Sequence, residues 1–381
     1  MGPNDPVRCD RAGARRLCHC PAANSSCSPA PVRSPDAALR GNSAMTLLDH
    51  VCGALYGQAL GDAWGMPALL TPRQTWQRFG GWIDRLVPAP DDHPVHAGLP
   101  AGRATDDTGQ AFALAEAILE DGAVTVEGAA RAILRWYEAS GGETCPYVGP
   151  STRRAVERLR KGIPPTEAGK FGDTNGAAMR ASVVGLVFPG HPREAAHAGA
   201  IQSIPTHHTG VAMSGAASVA AAVAHALVPG ATLDGIIAAA IEGAQIGLAA
   251  GPIWMGASVA RRIDIAVEIA QRPVPAFDRI LELAEVIGST LATTEAVPAA
   301  FGILVMGQGD PRQTAMYAAA LGGDADTVGA IACAISGAWR GLGAMPRECL
   351  ETLRTANPEL DFERIAHAFV TRFGSTAAAS P

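Results

Sequence analysis

The chain has 381 residues, 48% of them hydrophobic and 17% charged, with a net charge of −6. That length can bury a sizeable core, and the negative balance leaves no basic footprint for a phosphate backbone, so nucleic acid is not an expected partner. Six Trp, four Tyr and nine Phe are few for so long a chain. The core must therefore come from Ala, Gly, Val, Ile and Leu, which suit closely packed helices better than a β-sandwich.

Residues 1–44 differ from everything after them, with six Arg against three acids, six Pro and many Ser, Ala and Gly. No apolar stretch leads to a small-residue cleavage site, as a secretory signal requires. The segment is expected to be a disordered tail, or a start placed upstream of the true one at Met45; residues 45–381 are expected to form one domain. Of eight cysteines, Cys9, Cys18, Cys20 and Cys27 crowd this tail in a spacing that fits no zinc knuckle. Cys52, Cys145, Cys333 and Cys349 are scattered, which reads as reduced, buried thiols of a cytoplasmic protein.

From Met45 the apolar spacing predicts helices almost throughout. The first covers 46–62, with Leu47, Val51, Leu55 and Ala59 on one face, and the second 108–120, with Ala111, Leu114, Ala115 and Ile118. Further helices are expected at 126–139, 151–161, 176–187, 193–203, 210–226, 233–249, 258–270, 277–287, 296–308, 311–322, 327–341 and 362–373. Gly and Pro fall between them, as helix ends require. The uncharged run 209–233 contains His225 and a Pro229-Gly230 break. It inserts too weakly for a membrane span, so the expectation is a helix buried inside a soluble bundle, with no membrane partner. Alternation of period two is scarce, and the fold class is expected to be all-α, a single-domain orthogonal helical bundle.

Two acidic motifs each end a Gly-containing loop and open a helix: Thr105-Asp106-Asp107-Thr108, and Gly322-Gly323-Asp324-Ala325-Asp326-Thr327. Asp and Thr at a helix N-terminus are ordinary caps. Capping uses one residue, however, and each motif offers two carboxylates, which repel one another unless a cation compensates them. If the motifs converge, oxygen-only ligation points to a hard ion such as Mg²⁺, Mn²⁺ or Ca²⁺. A third polar loop, Phe171-Gly172-Asp173-Thr174-Asn175-Gly176, also enters a helix, and its amides could cradle a phosphate or ribose hydroxyls. The pair His207-His208 before the 210–226 helix is, read alone, structural.

Taken in order, these motifs resemble the ADP-ribosylglycohydrolase family, which includes the dinitrogenase reductase-activating glycohydrolase. The opening helix from Gly53 to Ala63, the Thr-Asp-Asp-Thr motif, the Asn175-Gly176 loop with Met179-Arg180, Thr206-His207 and Gly-Gly-Asp-Ala-Asp-Thr follow the family's order over roughly residues 46–342. The resemblance implies a hydrolase that cleaves the N- or O-glycosidic bond of an ADP-ribosyl or ribosyl substrate with two Mg²⁺ ions, Mn²⁺ being the alternative. It implies Thr105, Asp106, Asp107, Asp324, Asp326 and Thr327 as metal ligands, and Asp106 or Asp107 as the catalytic group that orients or deprotonates water. It also implies that Asn175 and Gly176 line the ribose and phosphate side, with His207 near the cleft.

One feature departs from the pattern. Family members that act on ADP-ribosylated protein often carry a glutamate shortly after the Gly-Asp-Ala step, whereas here no acid appears between Asp62 and Asp84. A small riboside or nucleoside thus rivals an ADP-ribosylated protein as substrate. A non-catalytic, crystallin-like role is a further alternative, against which the intact acidic motifs argue. A terpenoid synthase would need more aromatic residues than the chain supplies.

Overall fold

The computed structural model describes residues 45–374. The expectations for residues 1–44, including their four cysteines, lie outside that range. Among the described residues there is no β-strand; two isolated bridges pair Lys170 with His208 and Thr174 with Ala292. The all-α expectation holds.

The helices in chain order are α1 (Leu47–Gly65), α2 (Pro72–Phe79), α3 (Asp106–Asp121), α4 (Val126–Ala139), α5 (Pro150–Arg160), α6 (Pro165–Ala168), α7 (Gly176–Met179), α8 (Ser182–Gly185) and α9 (Pro192–Ser203). After these come α10 (Gly210–Ala226), α11 (Leu233–Ala250), α12 (Val259–Ala270), α13 (Ala276–Val286), α14 (Thr293–Met306), α15 (Pro311–Leu321), α16 (Ala325–Arg340), α17 (Arg347–Ala356) and α18 (Phe362–Phe373). Several announce themselves through local caps. Thr46 forms a capping box with Asp49, and Thr125, Thr209 and Thr232 each accept the amide three residues on. Helices α2, α6 and α17 were not expected from the spacing. The predicted helix at 176–187 is instead two single turns, α7 and α8. The chain bends there because the Met179 carbonyl accepts Gln58 Nε2 at 2.8 Å, a bond made across the fold, and the Gly176 carbonyl accepts the side chain of Arg180 at 3.1 Å.

The 210–226 run is the buried central helix that its composition suggested: every residue of α10 except His225 is buried. Cys52, Cys145, Cys333 and Cys349 are free and buried, as expected. The contact that positions the site is between α1 and α16. Gly53, Gly57, Gly61 and Gly65 recur every four residues on α1, against Gly337, Cys333, Gly329 and Ala325 of α16. A Cβ built on Gly61 would stand 1.9 Å from the Gly329 carbonyl oxygen. Only a side-chain-free stripe permits this antiparallel approach. It brings the C-terminal end of α1, with Asp62, to the N-terminal end of α16, with Asp324 and Asp326.

Candidate active site

Three helix ends meet here. The first turn of α3 supplies Asp106 and Asp107, the start of α16 supplies Asp324 and Asp326, and the last turns of α1 supply Asp62. Gly322 and Gly323, at φ 70° and 64°, make the turn into α16. The Gly323 amide bonds the Leu69 carbonyl at 2.9 Å and the Asp324 amide the Ser289 carbonyl at 2.7 Å, which fixes that turn.

The orphan amides at the start of α3 are capped by another helix. Asp62, fully buried, accepts the Thr105 amide at 2.9 Å, the Thr108 amide at 3.1 Å, and the hydroxyls of Thr105 and Thr108 at 2.9 and 2.6 Å. With capping done from α1, Asp106 and Asp107 are free of that duty. Asp106 accepts only Gln110 Nε2 among side-chain donors, at 3.1 Å, and Asp107 accepts the Thr105 hydroxyl at 3.1 Å. The second carboxylate oxygen of Asp107, Oδ1, is buried without any hydrogen-bond partner. An orphaned buried carboxylate oxygen is costly unless something else satisfies it.

Electrostatics point the same way. Burial first, with the charge of Asp326 adding to it, pushes Asp62 up to about 6 and Asp324 up to about 7. Asp106 and Asp107 are raised well above the usual carboxylate range by burial and then by Asp326 and Asp62. The nearest fully buried cation, Arg180, bonds neutral groups: Gln202, Gln110, the Gly176 carbonyl and Thr206. The carboxylates that line the cavity, Asp106, Asp107, Asp324 and Asp326, thus meet no Lys or Arg side chain, and His96 beside Asp326 is the basic group among them. Among the described residues no three His, Cys, Asp or Glu side chains close around one point as a ready cage. The acids converge but stand apart, as like charges do.

Asp106, Asp107, Asp324, Asp326, Thr327, Asn175 and Gly176 all line one cavity of about 190 Å³. Asn175 Nδ2 donates to Asp324 Oδ2, tying the third loop to the second acidic motif. Two of the expected residues stand behind the wall. The Thr105 hydroxyl is turned onto Asp62 and Asp107. His207 lies fully buried beneath the loop, bonded to Thr206 Oγ1 at 2.7 Å and Thr174 Oγ1 at 3.0 Å. Burial, then the charges of Arg180 and Arg154, hold the pKa of His207 well below its ordinary value. It supports Thr174 and Asn175 from below.

Sequence reasoning missed Asp62 as a cap and His96 altogether. His96 lines the cavity, donates from Nδ1 to the Met66 carbonyl at 2.9 Å, and presents Nε2 to Asp326 Oδ2 at 3.3 Å. It stands beside the acid-free segment after Asp62, whose Met66 and Ala68 also line the cavity. No spacing signal could have found it, because 80–105 is an irregular stretch.

Comparison with known proteins agrees with this geometry. The family model for ADP-ribosylglycohydrolase matches residues 43–378. The chain is 35% identical over 322 residues to the uncharacterized protein YegU of Escherichia coli (strain K12), spanning 84% of this chain and 96% of that one. It is 29% identical over 318 residues to the ADP-ribosylarginine hydrolase Tri1 of Pseudomonas putida (strain GB-1), spanning 80% of this chain and 74% of that one. A solved structure described as an ADP-ribosylglycohydrolase-related protein complex superposes with a TM-score of 0.63 at 27% identity, over 86% of this chain and 98% of that chain. With the acidic helix ends gathered on an all-α scaffold and the family matched over nearly the whole described chain, this protein belongs to the ADP-ribosylglycohydrolase family and is a glycoside-cleaving hydrolase.

Proposed function

We propose that the chain hydrolyses the glycosidic bond between an ADP-ribosyl group and its acceptor, with divalent cations held by the acidic helix ends. The observation that carries this reading is the orphaned, buried Oδ1 of Asp107 within a set of carboxylates that no Lys or Arg touches. Asp106, Asp107, Asp324 and Asp326, with the hydroxyl of Thr327 and, once turned from its bonds to Asp62 and Asp107, that of Thr105, would hold two Mg²⁺ ions, or Mn²⁺ in their place; the donor set is all oxygen, which suits a hard ion. When bound, such ions supply Lewis-acid polarisation of ribose hydroxyls and of water.

The rest falls to the chain's own residues. Glycosidic cleavage passes through an oxocarbenium-like state, which the surrounding carboxylates stabilise by their negative charge. Asp106 or Asp107 orients the attacking water and accepts its proton. Asn175 and Gly176 hold the ribose and phosphate side, and His207 acts through Thr174 to position that loop. Among relatives, Tri1 is named for ADP-ribosylarginine, which makes an ADP-ribosylated arginine side chain the first acceptor to test.

The acid-free wall at Met66 and Ala68 favours a second reading, a small riboside with the same acids. Incubating the full chain with Mg²⁺ and a panel of ADP-ribosyl-arginine, ADP-ribosyl-serine, O-acetyl-ADP-ribose and nucleosides separates the two. Release of ADP-ribose that stops with EDTA is the expected result. Metal-dependent release of free ribose alone would transfer the function to riboside hydrolysis, and no turnover of any substrate would overturn both.

A further inference from the structure

One wall of the cavity carries no acid. Among its lining residues from Gly65 to His96, the polar side chains are His93 and His96. Both are buried, and their rings stack with centroids 4.9 Å apart and planes within 20°.

Their hydrogen bonds fix which nitrogens carry protons. His93 Nδ1 accepts the amides of Val95 and His96 at 3.2 and 2.9 Å. Its proton is therefore on Nε2, which donates to the Ala68 carbonyl at 2.7 Å. Both nitrogens of His93 are used. His96 is arranged the other way round. Its Nδ1 meets the Met66 carbonyl at 2.9 Å, and because a carbonyl only accepts, the ring proton sits there. In the neutral imidazole this leaves Nε2 bare, and it faces Asp326 Oδ2 at 3.3 Å.

Two lone pairs that face one another at that distance repel unless a positive charge joins them, either a proton or a metal ion. Two observations favour the ion. The same cavity holds the orphaned Oδ1 of Asp107, which no donor satisfies. An imidazole that donates one N–H to a backbone carbonyl and keeps the other nitrogen bare has the pose of a metal-bound histidine. The spacing fits as well, since neighbouring ligands of an octahedral ion with bonds of about 2.1 Å lie about 3 Å apart.

We propose that His96 Nε2 is a further ligand, beside Asp326, for one of the divalent cations at the acidic helix ends. The proposal rests on the divalent-cation reading above and adds one nitrogen to its oxygen donors. A neutral imidazole brings a donor without charge, so four carboxylates and two divalent ions still balance. Imidazole nitrogen suits transition ions, whereas Mg²⁺ keeps to oxygen ligands and water. His96 thus makes Mn²⁺ the preferred occupant on the Asp326 side.

The test is spectroscopic and needs no turnover. The full chain is loaded with Mn²⁺ and its electron spin-echo envelope modulation is recorded for wild type, for wild type grown on ¹⁵N-histidine, and for His96→Gln. Wild type should show modulation from a directly bound nitrogen, and the label should change it. His96→Gln should lose it while still binding Mn²⁺. Outer-shell partners of a metal are worth about 10- to 100-fold in affinity, so calorimetric titration should find Mn²⁺ weakened at least about tenfold in His96→Gln, and Mg²⁺ less. The labelled wild type decides the matter even where the variant fails to fold. Bound Mn²⁺ without nitrogen modulation, modulation unmoved by the label, or modulation retained in His96→Gln would each overturn the ligand and leave a proton joining His96 to Asp326. Failure of wild type to bind either Mn²⁺ or Mg²⁺ would instead remove the divalent-cation reading itself.

Discussion

Asp62 and Thr108 are joined across two helices: the carboxylate, near the end of α1, accepts the Thr108 hydroxyl at 2.6 Å and its amide at 3.1 Å. One helix thus caps another, and the two aspartates between Thr105 and Thr108 are released from capping.

Replacing Asp62 by Ala should therefore lower stability through α3 and not through the core. Lost caps are worth about 0.5–2 kcal/mol, and each buried amide left unsatisfied adds a penalty of about 1–3 kcal/mol. Measured in Mg²⁺, the unfolding free energy should fall by about 2 kcal/mol or more. A change under about 0.5 kcal/mol in denaturant titration would remove the capping role.

Asp107→Asn keeps the shape and removes the charge. Turnover should drop by at least about 10²-fold, the lower range for a general acid–base group. Stability in EDTA should hold or rise, because one of several repelling carboxylates is gone. Near-full activity in this variant would take Asp107 out of the chemistry.

The acids also set a pH dependence for the cation-free protein. The folded state keeps protons on Asp62 up to about 6 and on Asp324 up to about 7, whereas the unfolded chain releases them near about 3.9. Between those limits the folded form binds more protons, so its stability falls as pH rises. His207 works in the opposite direction: buried neutral, it disfavours the fold as pH drops below about 6.5, where the unfolded imidazole takes a proton. Asp106 and Asp107 are raised alongside Asp62 and Asp324, and these four carboxylates outweigh the one imidazole. Thermal midpoints in EDTA should decline from pH 5 to pH 8, and Mg²⁺ should flatten or reverse that slope. A midpoint in EDTA that climbs with pH throughout would contradict it.

Gly61→Ala tests the stripe that brings the acids together. Alanine favours helix over glycine by about 1 kcal/mol, but the added Cβ would meet the Gly329 carbonyl oxygen at 1.9 Å. Overpacking against backbone costs about 1–3 kcal/mol or more and forces α1 from α16. Activity should fall with stability, because Asp62 moves with α1. Gly343, whose added Cβ would meet nothing within 4 Å, is the control, and Gly343→Ala should stay within about 0.5 kcal/mol of wild type.

Sequence alone determined those features whose cause is local. Helices such as α4 and α18 were legible because each carries its own apolar periodicity, α10 because it is a long uncharged run, and each has a cap three residues from the amide it serves. The two acidic motifs were legible as surplus carboxylates at helix starts, and their order along the chain carried the family. What only tertiary structure decided has causes distant in sequence. Local spacing could not say that Asp62, 43 residues before Thr105, would do the capping. It could not bring His96, from an irregular stretch, onto Asp326, nor place His207 beneath the loop and out of the cavity. It read one helix at 176–187, where the bond from distant Gln58 to the Met179 carbonyl helps impose two turns. The glycines every four residues were plain in the sequence, but their meaning was not. A missing side chain shows its purpose only when the carbonyl it makes room for, on a helix some 270 residues away, comes into contact.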